Sequence, residues 1–191
     1  MKRTVLFSFF IIPAVFLLIQ GPCWAWGSRG GKAALSAGEK AYWTKDYSTA
    51  LAKFKKAADA GNKAAQWWLS VMYAEGAGVG KDEAEAVKWI KLSAEKGFAP
   101  AQVSMGMRYL TGNQVERDEP KAVEWFQKAA GQGNGTALIY LAFMYARGEG
   151  VKEDTSQALK YFRLAKDKGF PVKEELLTEE GISKIEPRQK K

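Results

Sequence analysis

Residues 65–97 read AQWWLSVMYAEGAGVGKDEAEAVKWIKLSAEKG. Ala65, Leu69, Met72 and Tyr73 stand at i, i+4, i+7 and i+8, which on an α-helix is a single apolar stripe. The stripe stops at Gly76, a residue able to take the left-handed conformation that ends a helix. After the loop GAGVGK, in which Val79 is the one residue with a buried character, Asp82 stands where a helix N-cap is needed. Glu83 and Glu85 follow in the first turn, where the helix dipole favours negative charge. Ala86, Trp89, Ile90 and Ala94 then form a second stripe, closed by Gly97. The stretch is a pair of short amphipathic helices. Small residues at Ala65 and Ala86 allow the two backbones to approach, and Tyr73 and Trp89 fill the space beside them.

The same pattern recurs on both sides. Gly61, Gly97, Gly133 and Gly169 are spaced 36 residues apart, as are Tyr73, Tyr109 and Tyr145, and Asp82, Asp118 and Asp154. Phe54, Ile90, Phe126 and Phe162 keep the period, as do Ala50, Ala86, Ala122 and Ala158. Two short helices cannot bury their faces alone, so a period of this length predicts units that stack on their neighbours into a solenoid. The expected fold is all-α, an α/α solenoid of helix-turn-helix repeats. The predicted organisation is a first helix pair over 33–60, three full units over 61–96, 97–132 and 133–169, and a C-terminal cap and polar tail over 170–191. In the first pair Gly38 lies 12 residues before Ala50, whereas Ser70 lies 16 before Ala86, so its loop is four residues shorter. Two copies depart from the pattern locally: Gln114 replaces the second loop glycine, and Lys173 stands where a fourth alanine would fall. Val172 to Leu177 is expected to form a short helix over the last face, with the tail to Lys191 frayed.

The N-terminus has a different character. Lys2 and Arg3 precede an uncharged run from Thr4 to Ile19, and Cys23 and Ala25 are small residues suitably placed before Trp26. This is the plan of a signal peptide over 1–25 cleaved after Ala25, with 26–32 (Gly27 to Lys32, GSRGGK) as linker. Export to the periplasm or outside the cell follows from that reading. The run is shorter than the roughly 20 apolar residues a spanning helix needs, so membrane attachment would come only through an uncleaved segment.

Composition removes several classes of function. There is no histidine, and Cys23 is the sole cysteine. That excludes His-based acid–base catalysis, Ser-His-Asp and Cys-His nucleophiles and His-ligated metals. No catalytic residue, metal or cofactor is expected. The net charge of +8 is spread along the helices as lysine, a solvated surface rather than the concentrated stripe that nucleic acid requires. GAGVGK is not a phosphate loop, because Glu75 and Asp82 stand where that motif needs Gly and Ser or Thr. Asp82, Asp118 and Asp154 are helix caps before they are anything else.

The pattern Ala-Gln-x-x-Leu-x-x-Met-Tyr-x-x-Gly-x-Gly-Val-x-x-Asp, then Ala-x-x-Trp-Ile-x-x-Ser-Ala-x-x-Gly, as it stands from Ala65 to Gly97, resembles a Sel1-like repeat. The likeness covers Gly61 to Gly169, and the shortened unit before it looks like a tetratricopeptide repeat. The resemblance implies a solenoid with a concave groove and a role as an adaptor that binds a protein or peptide. Each unit's first helix carries a second apolar face: Trp67 with Val71, Val103 with Met107, and Ile139 with Phe143. By likeness to tetratricopeptide geometry, part of this face lines the groove, with Glu75, Thr111 and Arg147 at its end. The alternative is that these side chains pack on the neighbouring unit. Trp68 and Tyr140 lie between the two faces and are expected to be exposed aromatic anchors. Some secreted relatives carry a disulfide in each repeat and are linked to penicillin binding, which implies a second function, a cell-wall enzyme or a peptidoglycan- or β-lactam-binding protein. This chain has none of those cysteines.

Overall fold

The computed structural model describes residues 29–185. Eight helices form four consecutive pairs: α1 (Arg29–Trp43) with α2 (Tyr47–Asp59), α3 (Lys63–Glu75) with α4 (Glu83–Glu95), α5 (Ala99–Thr111) with α6 (Glu119–Gly131), and α7 (Gly135–Arg147) with α8 (Thr155–Asp167). Each even helix also packs on the odd helix that follows it, so the pairs stack in chain order as a solenoid. A 3-10 turn (Glu174–Leu177) and a short α9 (Glu179–Ser183) follow, both packed on α8 where a further unit would begin.

The polar backbone groups at the helix ends are met by side chains at periodic positions. Asp46, Asp82, Asp118 and Asp154 cap the even helices, each accepting from the backbone N–H three residues on, at 2.9–3.1 Å. Asn62 and Asn134 do the same for α3 and α7, a role the sequence pattern had not revealed. Gly76, Gly112 and Gly148 close the odd helices in the left-handed conformation. The seven-residue loop of the full units is pinned in one way throughout. The N–H of Asp82, Asp118 or Asp154 donates to the carbonyl of Tyr73, Tyr109 or Tyr145, at 2.9 Å each time. The first pair has only Thr44–Asp46 between its helices, which is the four-residue shortening read from the sequence.

The core runs along the stack as three successive buried clusters, bridged by the half-buried Tyr109, Tyr145 and Tyr161. Phe54, Phe126 and Phe162 on the even helices are fully buried, as are Leu69, Met105, Leu141 and Met144 on the odd ones. Two glycines mark how closely the helices of a pair approach. A Cβ on Gly38 would stand 2.6 Å from the Phe54 ring, and one on Gly106 2.7 Å from Phe126. Neighbouring units are also joined by hydrogen bonds: Gln66 and Gln102 donate to the carbonyls of Ala58 and Ala94 near the end of the preceding even helix.

Three expectations need correction. The linker does not extend to Lys32: α1 already begins at Arg29, because glycine is tolerated in a first turn when Ala34, Leu35 and Tyr42 bury the rest of the helix. The stretch after Thr178 is not frayed as far as Ile185, since Ile182 is only 2 % exposed and packs with Ala142, Ala146, Leu159 and Phe162. Val79 is half-buried, and Ala77 is the buried residue of its loop. The signal peptide over 1–25 and the last six residues of the tail lie outside the described residues.

Candidate partner-binding face

Charge is distributed unequally between the two layers of helices. The even helices carry many charged residues each, including Lys53, Lys55 and Lys56 on α2 and Lys160, Arg163 and Lys166 on α8. The odd helices of the full units carry few: α3 has Lys63 and Glu75, α5 has Arg108, and α7 has Arg147. Two of these are engaged elsewhere. Lys63 donates to the Gly97 carbonyl at 2.9 Å. Arg108 lies 3.6 Å from Glu83, at the register of the buried Met72 and Met144. The odd layer is therefore a sparsely charged surface backed by the solvated even layer.

The residues singled out in the sequence fall into distinct environments on that layer. Trp67 is buried, its ring 5.2 Å from Trp68 and 6.0 Å from Phe98. Val71, Val103, Met107, Ile139 and Phe143 are half-buried, with Glu75 and Thr111 exposed beyond them and Arg147 half-buried at the far end. Trp68 is not an exposed anchor. It is 3 % exposed and stacked parallel on Phe54 at 5.3 Å, and its Nε1 donates to Glu39 at 3.2 Å. Tyr140 is half-buried and stacks the same way on Phe126 at 4.8 Å. Both rings face the phenylalanine of the preceding even helix, so this register holds units together rather than meeting solvent.

The structure also brings in α1. Shifting its register by the four missing loop residues aligns Glu39 with Val71, Met107 and Phe143, and Trp43 with Glu75, Thr111 and Arg147. These positions escaped the 36-residue comparison because the short loop moves them out of phase. The contacts support the alignment: Tyr42 Oη donates to Glu75, and the Tyr42 ring packs 4.9 Å from Trp68. Trp43, 48 % exposed, lies edge-on to Tyr42 and Trp68. Burial raises the Glu39 carboxyl above its ordinary range, opposed by the Trp68 hydrogen bond. Burial, followed by the bond to Glu75 and its charge, raises the Tyr42 hydroxyl. At the other end the Arg147 guanidinium lies over the Phe143 ring at 5.2 Å and 4.0 Å from Glu149. The buried Arg147 Nε has no acceptor.

The arrangement can hold an apolar or mixed segment; it offers no nucleophile–base pair. Asp82, Asp118 and Asp154 are engaged as caps. Among the described residues no group of three or more acidic or cysteine side chains is placed to hold a metal ion. None of the described helices is long and apolar enough to cross a membrane.

Comparison with known proteins bears on this geometry. No curated protein matched the chain. Among solved structures, a protective antigen present in uropathogenic Escherichia coli strains, displaying an SLR fold, is 34 % identical with a TM-score of 0.68 over 73 % of this chain. The chain spans only 31 % of that antigen's length. A Sel1 repeat protein from Oxalobacter formigenes is also 34 % identical, with a TM-score of 0.61, over 62 % of this chain and 90 % of that one. Helicobacter pylori cysteine rich protein B shares the fold at 19 % identity and a TM-score of 0.50, over 75 % and 92 % of the two chains. The Sel1 repeat family model matches residues 41–62, 63–98, 99–134 and 135–170, which takes in the second helix of the shortened first unit as well. With four matched repeats covering most of its length, the chain belongs to the Sel1 repeat family.

Proposed function

We propose that the protein is an exported scaffold that binds a segment of another protein, or a peptide, across its odd-helix face. The observation that carries the reading is the contrast between the layers: the even helices hold their charges in solvent, while the odd helices keep Val71, Val103 and Met107 half-buried in a nearly uncharged surface. Ala65, Leu69, Met72 and their equivalents are wholly buried in the stack, and part of the second face packs on the core as well. What Val71, Val103 and Met107 leave accessible is a mostly apolar surface with few polar groups, which suits an extended ligand. Export rests on the basic start and apolar run of Lys2 to Ile19.

The test uses a phage-displayed peptide library selected on the full chain. Selected peptides are expected to lose binding at least about tenfold, a change of about 1.4 kcal/mol, on Met107→Glu. Leu92→Glu, at an exposed position on α4, should leave binding unchanged. Retention of binding by the Met107 variant, with helical circular dichroism intact in both, would place the site elsewhere.

A further inference from the structure

The odd helices hold two carboxylates, Glu39 on α1 and Glu75 on α3, while α5 and α7 have none. Both belong to one aromatic cluster. The Trp68 indole donates to Glu39 at 3.2 Å and the Tyr42 hydroxyl donates to Glu75, and these two donor rings pack 4.9 Å apart. Trp43 stands four residues after Glu39, on the same face of α1, and its exposed ring meets Tyr42 and Trp68 edge-on. The printed donors are neutral. Among the described residues no lysine or arginine is ion-paired with either carboxylate. The chain has 29 lysines and arginines against 21 acidic residues, so this charge is not left unpaired for want of cations. Resting on the reading of this face as a docking surface, we propose that its α1–α3 end is a receptor for an arginine side chain of the docked segment. Glu39 and Glu75 hold the guanidinium, and the Trp43 ring packs against it.

The chemistry of the site selects that group over other cations. A hard metal ion takes about six oxygen ligands or more, and here aromatic rings stand beside the two carboxylates. An ammonium is a strongly hydrated point charge, ill suited to the half-buried Glu39 beside an indole. A guanidinium is planar and weakly hydrated, stacks on aromatic faces and forks its N–H groups to carboxylates. Burial raises the Glu39 carboxyl above its ordinary range, and a cation alongside would act in the opposite sense by favouring the charged form. The position fits a docked segment as well. Glu39 heads the register that continues as Val71, Met107 and Phe143, so the arginine lies at one end of the segment and apolar residues follow it along the face.

Peptides selected from the phage-displayed library on the full chain test the receptor. They are expected to share an arginine with apolar residues on one side of it. Fluorescence anisotropy then compares a selected peptide with its citrulline analogue, which keeps the shape of the arginine and removes its charge. The analogue should bind about tenfold more weakly. On the double variant Glu39→Gln, Glu75→Gln, which keeps an acceptor for Trp68 and for Tyr42, the two peptides should bind within about twofold of each other. Should that variant fail to fold, Glu75→Gln alone, at an exposed position, should narrow the difference. Selected peptides with no shared arginine, or a difference undiminished on these variants, overturn the receptor and leave the docking face standing. Peptide binding undiminished by Met107→Glu overturns the docking face itself, and a library that yields no binder overturns both.

Discussion

Trp68 shows how one side chain can be misplaced by a helical wheel. Its position lies between the two stripes of α3, so periodicity leaves its environment open. The deciding partner is Phe54, on the preceding helix and outside the wheel altogether, whose ring stacks on the indole. Ser104 in the next unit holds the same register, so the repeat itself gave no consistent signal there. Removing the ring leaves a cavity between α1, α2 and α3 and strips Glu39 of its donor. Trp68→Ala is therefore expected to cost about 3–5 kcal/mol in urea unfolding, the range for deleting a buried aromatic side chain. A loss below about 1 kcal/mol, the size of a surface substitution, would mean that the ring is exposed after all.

At the scale of the element, the loop was more legible than the helix faces. Its start and end were readable because glycine at a helix end and aspartate at a helix start each have one strong local reason to be there. What the sequence could not show is that the loop reaches back to the preceding unit: a Cβ on Gly78 would stand 2.8 Å from the Tyr47 carbonyl oxygen, and one on Gly150 2.5 Å from that of Glu119. Gln114 occupies the equivalent place with φ of 60°, a conformation that disfavours any side chain. Gln114→Gly should raise stability by about 0.5–1 kcal/mol, since relief of a left-handed residue exceeds the added freedom of the unfolded chain. Thermal unfolding followed by circular dichroism reads this out, and a lowered midpoint would show that the side chain makes a contact worth more than the strain.

Over the whole molecule, periodicity revealed the stacking but not the terminations. A cap need only be apolar on one side and carries no repeat signature, so Ile182 was indistinguishable from tail until its burial was known. It closes the α7–α8 end of the core, and Ile182→Ala is expected to lower stability by about 2–4 kcal/mol. Unfolding at an unchanged denaturant midpoint would show that the segment merely lies on the surface. The choice between packing and binding for the second face of the odd helices is a property of the stack as well, because it depends on what lies opposite each helix. Val71, Val103 and Met107 are half-buried there, whereas Trp67 is wholly absorbed into the core. That the odd-helix layer is the binding face is tested most directly by amide chemical-shift mapping of the isotopically labelled protein, titrated with a library-selected peptide. Shifts concentrated in α3, α5 and α7, with α4, α6 and α8 little changed, are the expected result; shifts concentrated in the even helices would contradict it.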